Sequence, residues 1–132
     1  WNDAYDPGLG TAEELLDMER RINPNVLASS NWWNWGKKGK PYLDIAVKEL
    51  GHFPETNTAA GETCFTITGR KWFWKEGTNR FDSPQGILGK LQTANSRNSN
   101  FLLNVPPNRQ GKIAEGAVKS LEEVGRQLRK AK

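Results

Sequence analysis

The residues of this chain that could do chemistry are a few separated carboxylates and an excess of tryptophan. The six tryptophans fall in three places: Trp1, then Trp32, Trp33 and Trp35, then Trp72 and Trp74. Lys, Gly and Asn flank these clusters, which suits aromatic walls carried on loops. Asp3, Glu49, Glu55 and Glu62 stand near candidate strand ends or in a long central loop. An Asp and a Glu converging on a tryptophan-lined pocket are the equipment for glycoside hydrolysis. One carboxylate must be ionised to attack or stabilise the anomeric carbon. The other must hold a proton at working pH, which burial beside aromatics achieves. Indole faces stack on the C–H faces of a sugar ring. The chain has fifteen acidic residues, so the pair carries weight only if a scaffold brings its members together.

The rest of the composition narrows the classes. With His52 as its single histidine, one chain cannot build a two-histidine metal site or a triad that needs a second His. The single Cys64 excludes an internal disulfide framework and a four-thiolate zinc site. We therefore expect neither a metal nor a cofactor. A net charge of +4 permits an anionic partner without demanding one. Lys71-Trp72-Phe73-Trp74-Lys75 interleaves cations with aromatics, a pattern that stacks on single-stranded nucleic acid. No nucleic-acid motif accompanies it, so nucleic acid is not an expected partner. No apolar run approaches the ~20 residues that a bilayer crossing needs, so no membrane partner is expected either. The chain starts at Trp1 without Met or an apolar leader. It reads as a processed chain or a piece of something longer, and its compartment stays open.

The elements that must position these residues follow from periodicity. At 132 residues, against the usual ~150 per domain, we expect one domain over 1–132 with no internal boundary. Thr11 and Glu14 form a capping box, and Leu15, Leu16, Glu19 and Ile22 continue at helical spacing until Asn23-Pro24. Residues 25–30 read as a short buried strand. Residues 31–61, punctuated by Gly and Pro, read as one long irregular loop. Residues 63–68 are a strand by β-branched and aromatic content, and residues 70–81 an aromatic, basic loop or hairpin arm. Ser83 caps a helix whose first position is Pro84. Residues 100–105 form an apolar run expected to be a fully buried central strand, in which Asn104 needs a hydrogen-bonding partner. The last helix carries Ala114, Ala117, Val118, Leu121, Val124 and Leu128. Strands alternating with helices imply parallel β/α units, here about half of a (β/α)8 TIM-type barrel. In that architecture ligands bind at the carboxyl ends of the strands.

Several ordered strings resemble one family. Glu62-Thr63-Cys64-Phe65, followed by Trp72-Phe73-Trp74, resembles the Trp-Glu plus Trp-Gly-Tyr region of α-L-fucosidases of glycoside hydrolase family 29. Asn100-Phe101-Leu102-Leu103-Asn104-Val105-Pro106-Pro107-Asn108, then Gly111-Lys112-Ile113, resembles that family's Asn-Leu-Leu-Leu-Asn-x-x-Pro strand and its following turn. Leu121 to Gly125 and Asn23-Pro24-Asn25-Val26-Leu27 resemble a later helix and an earlier strand entry. The resemblance implies the second half of a fucosidase catalytic barrel, without the C-terminal β-domain. The histidines that the family carries on its first barrel strands have no match here.

The resemblance also implies roles. Trp1-Asn2-Asp3-Ala4 is similar to the family's Trp-Phe-Asp-Gly nucleophile motif, with Asn2 and Ala4 as departures, so Asp3 is the expected nucleophile. Glu49 stands five residues after Asp44, the spacing of the family's acid/base, with Glu55 and then Glu62 as alternatives. Trp1, Trp32, His52, Trp72 and Trp74 are expected around the sugar. The leading expectation is a retaining hydrolase that releases terminal α-L-fucose from a fucosylated glycan or fucoside. The alternative is a non-catalytic half-barrel that self-assembles or binds sugar without turnover. A half-barrel leaves two strand edges and an inner face open, so we expect a homodimer that completes the barrel.

Overall fold

A computed structural model of the chain describes residues 12–30 and 44–130. The described elements are α1 (Ala12–Ile22), β1 (Ser29–Ser30), β2 (Ile45–Glu49), β3 (Gly61–Thr66), α2 (Pro84–Ser96), β4 (Ser99–Asn104) and α3 (Glu115–Lys130). The four strands form one parallel sheet in the order β1-β2-β3-β4. The parallel α/β class is therefore as the element pattern implied. Among the described residues no helix is long and apolar enough to cross a membrane.

Register divides the sheet into two faces, because successive side chains point to opposite sides. Ala46, Gly61 and Ser99 lie side by side, as do Lys48, Thr63 and Phe101. Phe65 and Leu103 continue this face, and α2 and α3 cover it. Its core is Ile67, Ile87, Ala117 and Val124, with Phe81, Leu88, Phe101, Leu103, Val105 and Leu121 packed around them. The helix sequences explain the covering. Ser83 Oγ accepts from Gly86 N at 3.1 Å and Pro84 opens α2, and the apolar positions of α3 share one stripe along sixteen residues. Within the sheet, Thr63 and Ser99 are buried and hydrogen-bond to each other at 2.8 Å, so burying these hydroxyls leaves neither without a partner.

Three expectations are corrected. Residues 31–61 are not one irregular loop, because β2 lies inside them and pairs with both β1 and β3. Its Ile45-Ala46-Val47 core is short, and the surrounding Gly and Pro hide it. Of residues 25–30, only Ser29–Ser30 pair as a strand. The run at 100–105 is not a fully buried central strand: β4 is an edge strand of the described sheet, and Leu102 is 39% exposed. Only one side of β4 meets helices, so alternate residues are covered and the rest are not. The capping residue Thr11 lies outside the described residues, whereas α1 itself matches the expected span.

The connection from β2 to β3, residues 50–60, has no helix. It turns at Leu50, whose N–H bonds Cys64 O at 2.8 Å, and then crosses the helix-covered face. Phe53 lies so close over the start of β3 that a Cβ at Gly61 would stand 2.7 Å from its ring. Only glycine fits there. Arg97, just beyond α2, donates to Phe53 O at 2.6 Å and fastens this segment to the amino end of β4.

Candidate active site at the carboxyl ends of the strands

The other face of the sheet carries Val47, Glu49, Glu62, Cys64, Thr66, Asn100, Leu102 and Asn104. Glu49, Cys64 and Leu102 form one row across three strands near the carboxyl ends. Thr66 and Asn104 form the next row. A cavity of about 440 Å³ opens there, lined by Glu49, Cys64, Trp72, Leu102, Leu103, Asn104 and Val105. It combines a carboxylate, an indole, an amide and apolar side chains, the mixture that sugar recognition needs.

Trp72 reaches the cavity because its loop is tied down. Thr66 Oγ1 donates to Lys71 O at 2.9 Å, and Asn104 Nδ2 donates to Trp72 O at 2.9 Å and to Thr66 Oγ1 at 3.3 Å. Thr68 Oγ1 also donates to Lys71 O. Gly69, at φ 83°, makes the turn that brings the chain back. Asn104 thus has the partner that its place in an apolar run demanded. The anchoring role of Thr66 carried no signal in the sequence, because a threonine in a strand normally reads as β propensity alone.

The expected site residues separate clearly. Glu49 ends β2 and lines the cavity with Trp72. Trp74 is half-buried in the same loop and is not among the lining residues. Glu62 sits near the amino end of β3, on the same face as Glu49, and accepts from Asn100 Nδ2 at 2.9 Å. Glu55 lies in the crossover at the amino end, exposed, with Oε1 3.6 Å from Arg97. His52 lies behind the sheet. Its ring packs 5.0 Å from that of Phe65, on the helix-covered face, and Phe65 also meets Phe101. The crossover carries it to the side of the sheet opposite Glu49 and Trp72, away from the cavity that they line. Asp3, Trp1 and Trp32 lie outside the described residues.

His52 has a different chemistry from a pocket ligand. Its Nδ1 is buried and has no hydrogen-bond partner among the described residues. Burial first, then the positive charges of Arg97, Lys90 and Lys48, push its pKa below the usual 6.5. Lys90 also stands 4.8 Å over the Phe65 ring and pairs with Asp82. This is a packed surround for a neutral imidazole.

The family model for α-L-fucosidase matches residues 1–132. The structure is similar to α-L-fucosidase isoenzyme 1 from Paenibacillus thiaminolyticus, with a TM-score of 0.79 and 27% identity over 96% of this chain and 32% of that one. It is also similar to a glycoside hydrolase family 29 α-L-fucosidase from Bacteroides thetaiotaomicron, at a TM-score of 0.73 and 14% identity, covering 88% of this chain and 30% of that one. A third likeness is to an α-L-fucosidase from Lactobacillus casei in complex with its α-L-fucose product, at a TM-score of 0.70 and 21% identity, covering 89% and 35%. The chain thus spans about a third of the length of these enzymes. Among functionally curated proteins no match is found.

Proposed function

The chain belongs to the α-L-fucosidase family, and on that premise we propose that it supplies part of a retaining glycoside hydrolase that releases terminal α-L-fucose. The observation that carries this reading is the shared cavity of Glu49 and Trp72 at the carboxyl ends of the strands. Trp72 offers an indole for the sugar ring. Glu49 gives a proton to the leaving oxygen and later takes one from the attacking water. Asp3 attacks the anomeric carbon and forms the covalent glycosyl intermediate. Retention requires the two carboxyls to stand about 5–5.5 Å apart. Glu55 and Glu62 are less well placed for this step, since neither lines the carboxyl-end cavity. Trp1, Trp32 and Trp74 complete the aromatic walls in this reading.

The same reading takes the sheet as about half of a (β/α)8 barrel, completed by a second copy of the chain. The uncovered face supports it: Leu102 is 39% exposed there, and edge strands present unpaired backbone groups. A light-scattering mass of one chain at micromolar concentration would refute the second copy.

The test of the activity is release of nitrophenol from an aryl α-L-fucoside by the native chain and by Asp3→Asn. Release that stops in Asp3→Asn supports the assignment. A chain that binds fucose but releases nothing is the non-catalytic alternative.

A further inference from the structure

Five ion pairs join cations to carboxylates among the described residues. Arg20 pairs with Asp44, Lys90 with Asp82, Arg97 with Glu55, Lys119 with Glu115 and Arg126 with Glu123. The loop over residues 70–80 contributes to none of them. Arg70, Lys71, Lys75 and Arg80 are all exposed and make no ion pair among the described residues, and the single acid between them is Glu76. Four like charges within eleven residues of the chain attract an anion. The same loop holds Phe73, 85% exposed, between the two lysines and next to Trp72. The backbone of Lys71 and Trp72 is fastened by Thr66 and Asn104. Trp72 lines the cavity that contains Glu49, so the backbone of its chain neighbours Lys71 and Phe73 runs beside that cavity.

We propose that this loop is a leaving-group subsite for an anionic sugar, so that the preferred substrate carries a sulfate or carboxylate on the residue next to the cleaved fucose. The inference rests on the fucoside-cleaving reading, because an acid/base marks the side from which the leaving group departs. With fucose against Trp72 and its glycosidic oxygen at Glu49, the next sugar extends past the loop. Phe73 gives that ring an apolar face to stack on. Lys71 and Lys75 stand on either side of Phe73 in the chain and meet the anionic substituent. Their ammonium groups are flexible point charges, so they accept a sulfate or a carboxylate alike.

The experiment is isothermal titration of the native chain with three S-linked, uncleavable α-L-fucosyl disaccharides. One is neutral, one is sulfated on the second sugar and one has a uronic acid there. The expected result is about tenfold tighter binding of one or both anionic forms at low salt, as a few exposed charge contacts together provide. The preference should shrink toward one at ~1 M salt, where the Debye length is about 3 Å. Comparing the sulfate with the uronate identifies the anion. The double variant Lys71→Gln/Lys75→Gln should abolish the preference, whereas Lys119→Gln, an equal charge change on α3, should keep it. Equal affinity of the native chain for neutral and anionic forms overturns the proposal. So does an oligonucleotide of matched charge that binds as tightly as the best disaccharide, which would make the loop a nucleic-acid surface. Hydrolysis of an aryl fucoside without an anion preference overturns the subsite alone. An anion preference in a chain that hydrolyses nothing supports the anion site and overturns catalysis. A chain that binds none of the disaccharides and hydrolyses nothing overturns both.

Discussion

The two faces of the sheet are built to different rules. Behind it, Phe101 and Leu103 pack on a core built with residues of α2 and α3, and Ile67 is fully enclosed. In front, the same strands present Glu49, Cys64, Thr66 and Asn104, with Leu102 partly bare. The rear face holds the fold together by burying apolar area, which is non-directional and tolerant of detail. The front face spends its positions on hydrogen bonds and a carboxylate, which are directional. The helix-packed core and the proposed site are thus separated by one residue step along each strand.

The largest effect expected on the front face is catalytic. Glu49→Gln should lower kcat on a fucosylated disaccharide by about 10²–10⁴-fold, the range for loss of a general acid/base. The melting temperature should barely move, because Glu49 is exposed. An unchanged kcat would remove Glu49 from the mechanism.

The rear face should respond in stability. Ile67→Ala, at 0% exposure, should cost about 2–5 kcal/mol by urea denaturation. Leu102→Ala should cost less than about 1 kcal/mol, since its side chain keeps much of its contact with water. A cost for Leu102→Ala near that of Ile67→Ala would mean that something covers the front face, and a concentration-dependent cost would identify a second copy.

Asn104→Ala probes the tie between the front face and its loop. It removes the bonds to Trp72 O and Thr66 Oγ1. The expected stability cost is about 0.5–1.5 kcal/mol, the net worth of such a bond, because Thr66 Oγ1 keeps its bond to Lys71 O. Amide exchange at residues 71–73 should quicken, and KM should rise more than kcat falls. Unchanged exchange there would show that the loop is held by other contacts.

The smallest effect concerns His52. Its folded-state pKa lies below the unfolded value of 6.5. The unfolded chain therefore takes up a proton first as pH falls. Stability contributed by the neutral ring is complete above pH 6.5 and declines from there down to the folded-state pKa. Thermal melts at pH 7.5 and 5.5 should differ less in His52→Gln than in the native chain. An equal difference would show that other groups carry the acid sensitivity.

Local signals decided a good part of this protein. The proline and serine that open α2, the stripe of α3 and the β-branched content of β3 act over a few residues, and each element stands close to where those signals put it. The apolar run of β4 likewise marked a strand, and the lone Asn104 within it marked a hydrogen bond to come. What only the tertiary structure decided is pairing and facing. β2 is recognisable through its neighbours β1 and β3, because five residues with two exposed at the end have no strong pattern of their own. β4 reads as central by composition, yet it lies at the edge of the described sheet, since burial depends on what packs against a strand and not on its residues alone. His52 and Glu49 are separated by two residues and stand on opposite faces, because the turn at Leu50 sends the crossover behind the sheet. Spacing along the chain could name the carboxylates, but a sheet register was needed to show that Glu49 shares a cavity with Trp72.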